Sequence, residues 1–179
     1  MSKLFSGVSG LAAAILLLAG CTHHHRESEE SSAPAPAAVT SAITSAYPGA
    51  QITATHSEKE EIDLFEVSFT ADGKKHDADV TPDGTILSVE ETVGESDVPA
   101  AALSAIRNAA QGASVRRYEK ATKMANVDKT THAITRLSTP EVNYEAALSR
   151  DDMHAEVAVA ADGTVTEQPK WKKRSEKED

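Results

Sequence analysis

Two stretches of the chain carry apolar residues at helical spacing, and shorter runs after each of them alternate. Val39, Ile43 and Tyr47 fall at i, i+4 and i+8, and Leu103, Ile106 and Ala110 repeat the stripe later. That spacing predicts one amphipathic helix in each place. Pro36 and Pro99 are expected in the first helical turn, where a missing N–H costs nothing. Gly49 and Gly112 stop the helices, with Pro48 helping in the first. Phe65, Val67 and Phe69 alternate with Glu66 and Ser68, the pattern of a strand with one buried face. Asp72-Gly73, Asp83-Gly84 and Asp162-Gly163 are hairpin-turn pairs.

The two sets of elements match each other. Shifted by 63 residues, Pro36–Ile52 lies over Pro99–Val115, with Pro36/Pro99, Ser41/Ser104, Ile43/Ile106 and Gly49/Gly112 identical. Shifted by 79, Phe65–Phe69 lies over Tyr144–Leu148 and Asp83–Ile86 over Asp162–Val165. The two shifts differ by 16, so the second copy carries sixteen extra residues between its helix and its Tyr144 strand. The expected fold is α+β, an α-β-β-β(-β) unit twice in tandem, at 36–94 and 95–169, with the insertion near 116–143 and a charged tail over 170–179. One helix with three or four antiparallel strands covers one sheet face and leaves the other to solvent or a partner.

The order Pro48-Gly49-Ala50-x-Ile52, Phe65-Glu66-Val67, Asp72-Gly73-Lys74 and Val80-x-x-Asp83-Gly84-x-Ile86 resembles the PepSY-like domain family, which includes a tandem fold described as beta-lactamase-inhibitor-like. Gly112–Val115, Tyr144-Glu145 and Val159–Val165 carry the resemblance in the second copy, which departs from the pattern at Asp151-Asp152 and in its insertion. The resemblance implies an envelope binding module, in some members an inhibitor of enzymes, with no catalytic residues and no cofactor.

Ahead of the first helix, Lys3 precedes an apolar run from Leu11 to Ala19. A bilayer span needs about 20 apolar residues, so this shorter run fits a signal-peptide core, residues 1–20. It ends in Leu18-Ala19-Gly20-Cys21, which resembles the lipobox of bacterial lipoproteins. That resemblance implies lipid on the Cys21 thiol, cleavage after Gly20 and acylation of the new amine, a lasting anchor once two or more chains are attached. With the single cysteine consumed, none remains for a disulfide or a thiolate metal site. Residues 21–35 are polar and then Pro/Ala-rich, which reads as a disordered tether. His23, His24 and His25 on that tether are weak candidates for metal capture, because nothing there orients the rings.

Without residues 1–20 the chain has 17 basic and 28 acidic residues, a net of −11. Such a protein is repelled by nucleic acid and anionic headgroups, leaving the lipid as its route to a membrane. Glu58, Glu60, Glu61 and Asp63 read as a solvated loop, Asp77 and Asp79 as residues of the exposed sheet face, and His76, His132 and His154 as surface or edge residues. No nucleophile elbow, phosphate loop or zinc-binding H-E-x-x-H motif occurs.

One stretch reverses the sign. Residues 116–143 hold six basic residues against Glu119, Asp128 and Glu141, whereas residues 36–93 hold three basic and eleven acidic ones. Asn126–Lys129 is the expected tip of a long hairpin, either padding for the sheet edge or a docking arm in which Arg116, Arg117, Lys120 and Lys123 bind a partner. Three functions stay open. The first is a non-catalytic envelope lipoprotein, on the outer membrane facing the periplasm in a Gram-negative cell, that binds an envelope or periplasmic protein and is inhibitor-like. The second is a structural lipoprotein assisting membrane-protein assembly, and the third a weak metal-binding periplasmic carrier.

Overall fold

A computed structural model of the protein describes residues 35–59 and 62–173. Cys21, the three tether histidines, Glu60 and Glu61 lie outside the described residues. Helix α1 (Ala37–Ala46) is followed by strands β1 (Gln51–Lys59), β2 (Asp63–Ala71), β3 (Lys74–Val80) and β4 (Ile86–Val93). After a short 3₁₀ turn at Glu95–Asp97, helix α2 (Ala100–Ala110) is followed by β5 (Ser114–Val127), β6 (Ile134–Arg150), β7 (Met153–Ala160) and the short β8 (Val165–Glu167) and β9 (Lys172–Lys173). Among the described residues these nine strands form one antiparallel sheet in chain order, with β9 joining β8 along the outer edge of β7.

Both prolines stand one residue ahead of their helices rather than inside the first turn. Pro36 and Pro99 share φ −53° with ψ 143° and 141°. The ring-locked φ suits this extended cap, and each proline carbonyl accepts a bond from the first turn, from Val39 N–H at 2.9 Å and Leu103 N–H at 2.8 Å. Helix α1 buries Val39 and Ile43 against Val67 and Phe69 of β2, Val80 of β3 and Val89 of β4. Helix α2 buries Ala102, Ile106 and Ala110 against Leu148 of β6, Val157 and Val159 of β7, and Val93 of β4. Val89 and Val93 point to the same side of one strand, because side chains repeat every two residues. The two helices therefore cover the same face.

The β3–β4 and β7–β8 turns show why glycine is needed at two matched places. Gly84 has φ +87°, and a Cβ there would stand 2.8 Å from the Ala38 carbonyl oxygen at the start of α1. Gly163 has φ +92°, with the Ala101 oxygen of α2 at 3.0 Å. Each helix start thus rests on a turn that any side chain would push away. Asp72 and Gly73, at φ 51° and 77°, close the two-residue β2–β3 hairpin as their sequence suggests. Asp151 takes φ 52° in the β6–β7 turn without a glycine.

Strand β4 pairs with β5 from Ser88↔Lys123 to Val93↔Tyr118, so the second set of strands continues the sheet begun by the first. Beside this seam the Glu95 carboxylate accepts bonds from Arg107 at 2.7 Å and from the Tyr118 hydroxyl at 3.0 Å, tying the connecting turn to α2 and β5. The β5–β6 hairpin, residues 114–150, is sixteen residues longer than the β1–β2 hairpin, residues 51–71. Its tip is the turn 128–133, slightly later than expected, closed by Asp128 accepting the N–H groups of Thr130 and Thr131 at 2.9 and 2.7 Å. Ala125 and Val127 pack with Ile62, Leu64 and Leu87 in a third apolar cluster, so the arm rests on the sheet.

Three expectations are corrected. Glu58 and Asp63 are not loop residues, because they stand at the facing ends of β1 and β2, Glu58 opposite Leu64 and Asp63 opposite Lys59. His76 is no surface residue: it is 7% exposed, stacked on Phe69 at 4.9 Å and close to Tyr47. It falls on the inward side of β3 with Ala78 and Val80, so the strand's alternation buries it. Residues 171–173 are no free tail, because Trp171 packs on the second core beneath the Arg150 guanidinium at 4.5 Å and Lys172 and Lys173 pair with β7.

The shared sheet predicts one cooperative unfolding unit. Residues 36–94 expressed alone lose the partner of β4, expose Val93, and are expected to be rapidly proteolysed; a protected, well-dispersed fragment would show the halves to be independent. Gly84→Ala in the whole chain is expected to cost about 1–3 kcal/mol in denaturant unfolding, from the left-handed φ and the clash with α1.

Candidate functional site

With both helices on one side, the other side of the sheet is open, and the register decides what it presents. Strand β3 contributes Asp77 and Asp79, β4 contributes Ser88, Glu90 and Thr92, β5 contributes Arg117, Glu119 and Lys123, and β6 contributes Glu141, Asn143 and Glu145. Cross-strand pairing sets Asp77 opposite Glu90, Glu66 opposite Asp79, and Glu119 opposite Glu145. Like charges directly opposite one another destabilise a sheet, so something must relieve them.

Hydrogen bonds relieve part of the load. The Ser68 hydroxyl donates to Asp77 at 2.6 Å and the Ser88 hydroxyl to Asp79 at 2.5 Å. Arg117 Nε donates to Glu119 Oε1 at 2.9 Å. Protonation relieves more. Burial pushes the Glu90 carboxyl up to about 9, helped by the charges of Glu145, Glu119 and Asp79. Burial and the charges of Glu156 and Glu119 push Glu145 up to about 7, against the pull of Arg117. Asp79 and Glu156 are raised too, chiefly by burial. At neutral pH Glu90, at the centre of this face, thus keeps its proton, while Glu145 is about half ionised. Beside them the surface sinks into a hollow of about 530 Å³ lined by Ser68, Asp77, Glu90, Thr92, Arg117 and Glu119.

The four basic residues of the arm do not form one surface. Arg117 and Lys123 face the open side, and Arg116 reaches Ser149 there at 3.5 Å. Lys120 lies on the helix side, opposite Glu91 and Tyr144. Asp77 and Asp79 are on the open face as expected, half-buried by their serine bonds. Sequence reasoning missed Glu90, Glu119, Glu145 and Glu156. Their outward phase was readable from Val89-Glu90 and Tyr144-Glu145-Ala146, but their meeting depends on the β4–β5 seam, which local patterns do not announce.

The fold recurs in solved structures. A BLIP-like protein from Bacteroides fragilis matches with a TM-score of 0.57 at 14% identity, over 81% of this chain and 92% of its own. A Bacteroides eggerthii protein assigned to the periplasm matches with 0.57 at 14%, over 79% and 90%. A DUF2874 family protein from Bacteroides uniformis matches with 0.56 at 12%, over 78% and 90%. At these identities the likeness is one of fold. No protein-family model and no curated protein matches the chain. Among the described residues no helix is long and apolar enough to cross a membrane.

The raised carboxyls set a pH dependence. A carboxyl that holds its proton more tightly when folded adds stability that is complete below its unfolded value and is lost as pH rises through its folded value. The chain is therefore expected to melt progressively lower from about pH 4.5 towards pH 9. Glu90→Gln removes one contributor and is expected to raise the melting temperature at alkaline pH by at least about 2 °C with little change at acid pH. Equal melting curves for parent and variant across that range would contradict the assignment.

Proposed function

We propose that this chain is a non-catalytic envelope lipoprotein, anchored through Cys21, that binds another protein with the helix-free face of its sheet. The observation carrying this reading is the asymmetry of the sheet: two helices close one face, and the other is left open with a hollow and a built polar surface. In this reading residues 36–94 and 95–169 are tandem PepSY-like repeats, and a BLIP-like protein of the same fold lends the module an inhibitor-like character. Likeness to a protein assigned to the periplasm agrees with the signal-like run before Cys21. Docking on the open face draws on Arg116, Arg117 and Lys123 with the carboxylates, whereas Lys120 lies on the covered side.

A photo-cross-linking residue in place of Lys75, exposed at the rim of the hollow, tests the reading in living cells. A discrete protein adduct is expected from Lys75 and not from Thr44 on the outer side of α1. Adducts from both positions, or from neither, would contradict it. An integral barrel protein as the adduct favours the membrane-assembly role, and a soluble enzyme favours inhibition. Cys21→Ser is expected to leave the precursor unprocessed or to release the chain from membranes on fractionation. Normal cleavage with full membrane retention would rule out the lipid anchor.

A further inference from the structure

We propose that the open face takes a cationic segment of its partner protein, with an arginine or lysine side chain entering the hollow between Glu90 and Glu119, and that this docking is gated by pH. The inference rests on the reading of that face as the docking surface and adds the chemistry of the partner and the means of control.

Charge complementarity carries it. Around Glu90, β2 brings Glu66, β3 brings Asp77 and Asp79, β5 brings Glu119, β6 brings Glu145, and β7 brings Glu156. The cations are fewer or marginal. Arg117 is already paired with Glu119 at 2.9 Å. Lys75 is at the rim, Lys123 stands opposite Ser88 and Glu141, and Arg116 reaches Ser149. Further out, His154 lies near Glu156, Glu167 pairs across from Ala158, and His56 and Glu58 occupy the β1 edge.

In the free protein the crowding is relieved by protons on the central carboxyls. An incoming guanidinium or ammonium relieves it better, because it satisfies several carboxylates at once and has room in a hollow of about 530 Å³. Docking then replaces protons with a cation. Each carboxyl that ionises on docking makes affinity rise with pH below its free-state value, by up to about tenfold per pH unit. Acid pH weakens docking by keeping Glu90 and Glu145 protonated.

The test uses the whole chain in detergent, with a short peptide of alternating arginine and alanine as probe and its glutamate counterpart as control. The arginine peptide is expected to move backbone amide signals on the open side of β3 to β6, to bind at least about tenfold more tightly at pH 8 than at pH 6, and to weaken with salt. Its heat of binding should vary with the buffer's ionisation enthalpy, reporting released protons. The paired substitutions Glu90→Gln and Glu145→Gln should leave the fold intact, weaken binding at pH 8 and flatten the pH dependence. Equal binding at both pH values, equal binding of the glutamate peptide, or an unaltered double variant would overturn the inference. The underlying reading fails separately, when the Lys75 cross-linker captures no protein. A captured partner whose contacting surface is neutral or acidic would overturn the cationic assignment and leave the reading standing.

Discussion

The pairing of β4 with β5 is the interaction on which the rest of the structure depends. A helix with four strands could end with an open edge of unpaired N–H and C=O groups, which invites association with other chains. Here the edge of β4 is filled by β5 over six residue pairs, from Ser88–Lys123 to Val93–Tyr118. That ladder fixes both helices on the same face, since Val89 serves the α1 core and Val93 the α2 core. With both helices on that face, the opposite face stays open.

The same seam creates the chemistry of that face. Glu90 lies on one side of it, Glu119 on the other, and Glu145 one strand beyond. Separate units would leave Glu90 on an edge strand in water, with its ordinary acidity. Brought together on a partly buried surface, Glu90 and Glu145 hold their protons well above the ordinary range, because desolvation and the neighbouring like charges each disfavour the charged form. The crowding is a cost of the architecture. A face that binds a complementary charge recovers it on docking, while one that binds nothing carries it permanently.

Much of this architecture could be read from the residues, and what could not has physical reasons. The helix stripes, the Asp-Gly turns and the alternation of Phe65, Val67 and Phe69 are local, set by periods of 3.6 and 2 and by the few residues that tolerate positive φ. The β4–β5 seam was not legible, because the backbone ladder is common to all residues and the cross-strand side-chain preferences are too small for a strand's sequence to name its neighbour. His76 was legible in principle, two positions before Ala78 on the buried side of β3, but its polar ring suggested the surface. Trp171 was hidden differently: it lies among lysines, and only contact with Arg150 and the second core places it inside the fold. At the site, Asp77 and Asp79 could be placed on the open face, whereas the carboxyl group centred on Glu90 arises from long-range register.

The protonation state of Glu90 and Glu145 reports the seam, the open face and the charge crowding together. Side-chain carboxyl carbon shifts of the isotopically labelled chain, followed against pH, measure it directly. The account predicts that Glu145 titrates near 7 and Glu90 near 9, both still protonated at pH 6. Titration of both in the ordinary range near 4.5 would contradict it.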